Sequence, residues 1–186
     1  MVRQIYLGLL IACPLALLYC APASAEHFIS ARSTASATDG EESIRLPQSG
    51  DPAYAFTLPA GWTSKYGPDG TLTITAGACS CAVVLAIGYT DTVTTPTSEM
   101  AATVFTAAGA SPYSSMAPAA IAGIPGDGYF STLLMNGMLL GLKLAVVRVD
   151  PLHYAELMVI TRPNPSPAAT SALDALLAAV RLTVPH

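Results

Sequence analysis

The sequence predicts an α+β domain, an antiparallel sheet of about six strands with helices packed on its faces. Three observations predict it. Short alternating apolar runs form two meanders, a helical pattern separates them, and an amphipathic helix closes the chain. Turns within each meander are too short for a parallel crossover, which needs a dozen or more residues.

Two segments precede that domain. Arg3, an uncharged apolar run from Ile5 to Leu18, and small residues at Ala23 and Ala25 have the form of a secretory signal peptide over residues 1–25, cleaved before Glu26. An uncleaved anchor is the alternative, opposed by Pro14 and the small-residue site; lipidation at Cys20 is another, opposed by bulky Tyr19. Cleavage implies a periplasmic or secreted protein, with no transmembrane segment left in the mature chain. Residues 26–52 are rich in Ser, Thr, Ala, Asp and Glu, and are expected to be a flexible tether because they offer little apolar surface to bury. Residues 53–186 are expected to form the single domain.

Tyr54, Phe56 and Leu58 alternate with Ala53, Ala55 and Thr57, the pattern of a strand with one buried face. Pro59-Ala60-Gly61 turns the chain into a run from Trp62 to Tyr66. Gly67-Pro68-Asp69-Gly70 then makes a hairpin with Leu72 and Ile74. The next strand places Cys81, Val83, Leu85, Ile87 and Tyr89 on one face. A helix follows with Thr95 as N-cap and Pro96 at N1, burying Met100, Val104, Phe105 and Ala108 and ending at Gly109.

Prolines, serines and glycines from Ser111 to Gly128 predict a loop. Tyr129 to Met135 and Met138 to Val149 form a hairpin around Asn136-Gly137, because Asn-Gly supplies the positive φ angles of a type I′ turn. Asp150-Pro151 turns the chain into a strand from Tyr154 to Arg162, apolar on both faces. Ser166 caps the last helix, where Leu173, Leu176, Leu177 and Val180 share one face and Ala169 is expected near the exposed start.

The turn Phe56-Thr57-Leu58-Pro59-Ala60-Gly61-Trp62, followed by meander, helix, meander and helix, resembles the PsbP-like α/β/α sandwich family of small secreted proteins. That resemblance implies that Phe56 and Trp62 are core residues. It implies an accessory or binding protein, and carries no shared catalytic apparatus.

Composition narrows the partners. The full chain has 8 basic and 12 acidic residues, and Arg45, Lys65, Lys143, Arg148, Arg162 and Arg181 are scattered, so no basic stripe for nucleic acid or anionic lipid is present. With charged residues at 11% and hydrophobic residues at 52%, a sparsely charged surface suits self-association or an apolar partner face.

Cys79 and Cys81 form the candidate disulfide or redox pair. Residues two apart on an extended strand have Cα atoms about 6.5 to 7 Å apart, at the limit for a disulfide, so bonding needs a bend that Gly77 could supply. Buried or intermolecular thiols, and two thiolates toward copper, are the other readings. Ser80 lies outside any Gly-x-Ser-x-Gly elbow, His153 follows a turn, and Asp127 lies between two glycines in the expected loop. No catalytic, cofactor-binding or metal-ligating set is assigned, and no cofactor is expected. The function expected is a secreted or periplasmic, non-enzymatic accessory or binding domain for an envelope protein or small apolar ligand; the alternative is a thiol redox or copper-handling protein.

Overall fold

The structure, a computed structural model, describes residues 42–47, 49–76, 81–90, 94–109, 115–135 and 137–184. The signal-peptide segment, residues 26–41 and Cys79 lie outside them. The described chain runs β1 (Glu42–Leu46), β2 (Ala53–Leu58), β3 (Thr63–Tyr66), β4 (Leu72–Ala76), β5 (Cys81–Tyr89), α1 (Thr97–Ala107) and β6 (Ser115–Ile121). It continues through β7 (Ile124–Met135), β8 (Met138–Arg148), β9 (His153–Thr161), α2 (Pro167–Ala179) and β10 (Arg181–Thr183). Every described pairing is antiparallel, in a seven-stranded sheet ordered β3-β4-β5-β9-β8-β7-β6 and a three-stranded sheet ordered β1-β2-β10. The class is the expected α+β fold. The main sheet has seven strands rather than about six, and β2 belongs to the smaller sheet.

Three expectations about boundaries are corrected. Residues 42–46, expected within the tether of 26–52, are instead strand β1, which pairs along β2 with Ile44 opposite Phe56, and Ile44 and Leu46 are buried. Two apolar residues at period two suffice when a neighbouring strand supplies the ladder, which a compositional reading does not see. The loop expected from Ser111 to Gly128 instead contains β6 and the first part of β7, joined by Ala122 and Gly123, both at positive φ. Pro118 is tolerated because β6 is the edge of its sheet. Gly126 and Gly128 are packing residues: a Cβ at 126 would lie 2.1 Å from the Val146 carbonyl oxygen, and one at 128 would lie 2.5 Å from that of Leu144. Lastly, α1 takes Pro96 rather than Thr95 as its N-cap.

The main sheet separates two cores. On one face α1 lies over β7 and β8, and Met100, Ala101, Val104 and Phe105 pack with Leu140, Leu142, Leu144, Val146 and Ile160. Phe105 stacks on Tyr129 with ring centroids 4.8 Å apart. On the other face, α2 and the small sheet cover β4, β5 and β9, bringing Tyr54, Phe56, Leu173, Leu176 and Val180 together with Leu72, Ile74, Val83, Leu85 and Val159. Phe56 and Trp62 are core residues, as the resemblance implied. Ser166 caps α2 by accepting a hydrogen bond from the Ala169 N–H at 3.2 Å. Ala169 itself is buried, contrary to the exposed position expected, because α2 enters the core within its first turn.

Candidate functional site

Among the described residues, the two covering layers leave one part of the main sheet uncovered. On β8, Leu140, Leu142, Leu144 and Val146 point to the α1 side, so strand alternation turns Leu139, Gly141 and Lys143 to the other. Their partners on β7 are Leu134, Thr132 and Phe130. Leu134 is 71% exposed, Leu139 52% and Phe130 45%. The Lys143 ammonium lies over the Phe130 ring, 5.8 Å from its centroid. The hairpin also outruns its neighbours: β9 last pairs with β8 at Gly141 opposite Thr161, and β6 first pairs with β7 at Ser115 opposite Phe130. Three further β7–β8 pairs, ending with Met135 opposite Met138, extend past Gly141. Gly137 holds the turn at φ +77°, and Asn136 lies outside the described residues.

A second feature lies inside the α1-facing layer. Glu156 on β9 is buried, and burial pushes its carboxyl up to about 7 despite the opposing effect of a hydrogen bond with Tyr154. Burial likewise pushes the Tyr154 hydroxyl up to about 12, reinforced by Glu156. Tyr154 lies across from Gly88, where a Cβ would come within 2.2 Å of its ring, so the ring fills the space of the missing side chain. From the opposite layer, the Tyr54 hydroxyl donates to the Glu156 carbonyl at 2.6 Å. Its own pKa is raised well above the usual value, by burial and then by Glu156. The N-terminus of α1 is tied to the same face: Thr97 donates to the Asp127 carboxylate, and Arg148 donates to the Thr95 carbonyl.

Among the described residues, Cys81, Asp127 and His153, singled out from sequence, lie on three different strands. Cys81 opens β5 in the α2-facing core, buried, opposite Ala76 on β4 and Thr161 on β9. Cys79 and Ser80 lie outside the described residues. Asp127 is in strand β7 rather than a loop, bound by Thr97. His153 begins β9, with its Nδ1 2.8 Å from an Asp150 carboxylate oxygen. Burial would raise the Asp150 carboxyl, yet hydrogen bonds from the Leu152 N–H and from His153 hold it below the ordinary value. Among the described residues, no group of three or more His, Cys, Asp or Glu side chains could hold a metal ion, and no helix is long and apolar enough to cross a membrane. The uncovered hairpin face escaped sequence reading, since Leu133-Leu134-Met135 and Met138-Leu139-Leu140 read as core on both faces. The absence of charge from Ser131 to Leu142 was the available signal.

No known family profile and no curated protein matches the chain. Among solved structures, it is similar to LpqN of Mycobacterium tuberculosis, a protein involved in cell envelope biogenesis, at a TM-score of 0.52 and 14% identity over 77% of this chain and 91% of that one. A structure from Bacteroides thetaiotaomicron VPI-5482 aligns at 0.46 and 8% identity, over 70% of this chain and 45% of that one. The solution structure of cyanobacterial PsbP (CyanoP) from Synechocystis sp. PCC 6803 aligns at 0.47 and 11%, over 70% and 86%. At this identity the likeness to LpqN shows a shared fold alone. The element order of that shared fold, antiparallel strands with two helices on the faces of the main sheet, is the α+β arrangement expected from sequence.

Proposed function

We propose that this chain is an exported, non-enzymatic binding domain of the cell envelope that takes an envelope protein or small apolar ligand on the bare face of the β7–β8 hairpin. The observation that carries the reading is the Leu134 and Leu139 pair, two large apolar side chains held exposed by a strand register that cannot turn them inward without exposing Leu133 and Leu140. Support for export comes from residues 1–25, with their positive start, apolar run and small-residue site. The polar groups favour binding over catalysis: Asp127 holds Thr97, Asp150 holds His153, and Glu156 holds Tyr154, each as part of the scaffold.

Fractionation of the native host tests this reading. The expected result is recovery outside the cytoplasm as a chain beginning at Glu26, with envelope association that falls when Leu134 and Leu139 are both changed to Ser. A cytoplasmic chain that keeps Arg3, or envelope association indifferent to both substitutions, contradicts it.

A further inference from the structure

We propose that Glu156 and Arg148 form a proton-operated latch on the segment that enters α1. With Glu156 protonated, Arg148 ties that segment to the β8–β9 turn; with Glu156 ionised, Arg148 turns to the carboxylate and lets the segment go. The latch lies on the α1 side of the sheet and does not rest on docking at the other face. Glu156 is opposite Ala86 on β5 and Val146 on β8, and Arg148 is opposite Tyr154. Arg148 is therefore the diagonal neighbour of Glu156, a separation of roughly 7 to 8 Å that a long side chain spans. Its guanidinium is turned to other acceptors. One nitrogen donates to the Pro151 carbonyl at 3.1 Å, and the other donates to the Thr95 carbonyl and lies 3.9 Å from the Met100 Sδ.

Among the described residues, few groups can meet a charge on Glu156. Val84, Ala86 and Gly88 on β5 and the buried α1 residues Met100, Ala101 and Val104 carry none, and Glu99 is on the exposed side of α1. Tyr154 lies beside Glu156 on β9, and Tyr54 reaches its backbone carbonyl from the opposite layer. Asp127, opposite Val146 on β7, is bound by Thr97. Lys65 is on the edge strand β3, and Arg162 stands beyond the far end of β9. Loss of the Glu156 proton to solvent leaves a buried carboxylate, which is stable only when paired and hydrogen-bonded. Arg148 has neutral carbonyls as its oxygen acceptors, and a carboxylate is the stronger acceptor for a guanidinium. Ionisation thus draws Arg148 across, and the Thr95 carbonyl loses its donor. Thr97 keeps its hydrogen bond to Asp127, so the backbone before Thr97 is released rather than the whole helix. Burial holds the Glu156 carboxyl up at about 7, which puts the exchange near neutrality.

All described elements lie within residues 42–184, so the chain beginning at Glu26 contains the whole described fold. Amide 15N relaxation on that chain, at about pH 5.5 and about pH 8, brackets the Glu156 titration. The order parameter of Thr95 should fall from about 0.85 to below about 0.6, while Leu142 and Leu144 of β8 stay near 0.85. The Arg148 Nε–H resonance should shift over the same range. Glu156→Gln should keep Thr95 ordered at both pH values, and Arg148→Gln should leave it mobile at both. Imidazoles titrate in this range too, so His153→Gln is the control and should keep the parent response. Order at Thr95 that does not change with pH in the parent overturns the latch. So does a loss of order that Glu156→Gln shares, that His153→Gln abolishes, or that Leu142 and Leu144 show equally. A Thr95 that stays ordered in Arg148→Gln overturns it as well; should that variant not fold, the Glu156→Gln comparison decides alone.

Discussion

Leu133 and Leu134 are neighbours on β7 with opposite surroundings: Leu133, paired with Leu140, is buried on the α1 side, whereas Leu134, paired with Leu139, is 71% exposed on the other. The two pairs should therefore separate stability from binding. Leu140→Ala removes a fully buried side chain and should cost about 2 to 5 kcal/mol, read as a lower denaturant midpoint. Leu134→Ser should cost under about 0.5 kcal/mol, because it creates no cavity.

The closing helix gives a second test of the sandwich. Leu176 is fully buried against the small sheet and the main sheet, so Leu176→Ala should destabilise by about 2 to 5 kcal/mol. Ala172, exposed on the same helix, should tolerate serine at a cost of about 0.5 kcal/mol or less. Equal and negligible effects in urea titrations would mean that α2 does not close the core.

Much of this architecture was legible because alternation reports burial directly. Tyr54, Phe56 and Leu58, the run from Cys81 to Ile87, and the α2 face of Leu173, Leu176 and Val180 all pack where their periodicity put them. The misses share a physical origin in tertiary context. Pro118, Gly126 and Gly128 look like loop punctuation, yet an edge strand accepts proline, and close approach of β7 to β8 requires glycine. The β1 strand is mostly polar and forms by pairing with β2. Glu156 lies in a strand read as apolar on both faces, and only the fold shows its carboxyl enclosed beside Tyr154. The bare hairpin face depends on where α2 and the small sheet stop, which no local pattern encodes.

Close approach at β7 is itself testable. Gly126→Ala places a methyl carbon against the Val146 carbonyl, backbone that cannot swing aside, and should cost at least about 1 to 3 kcal/mol. Thermal melts of this variant should show a lower midpoint. An unchanged midpoint would show that β7 can move away from β8 at this position without loss.

Burial of Glu156 predicts a pH dependence of definite sign. Its carboxyl titrates near 7 when folded and near 4.5 when unfolded, so the folded state holds the proton more tightly. The resulting stabilisation is fully present below pH 4.5, declines as pH rises, and is lost once pH passes about 7, for a total of about 3 kcal/mol. Asp150 acts in the other direction and lower in pH: its depressed pKa stabilises above the unfolded value and is lost on acidification. Urea midpoints from pH 5 to 8 should therefore fall for the parent chain and stay nearly flat for Glu156→Gln.

Photo-crosslinking in the native host tests the central claim, that the bare β7–β8 face is the docking surface. A photoreactive residue is placed at position 134, and a control at position 172, exposed on α2. The account predicts adducts with an envelope protein or a small apolar ligand from position 134 and few or none from position 172. Equal adduct formation at both positions, or none at 134 in a folded and exported chain, would contradict it.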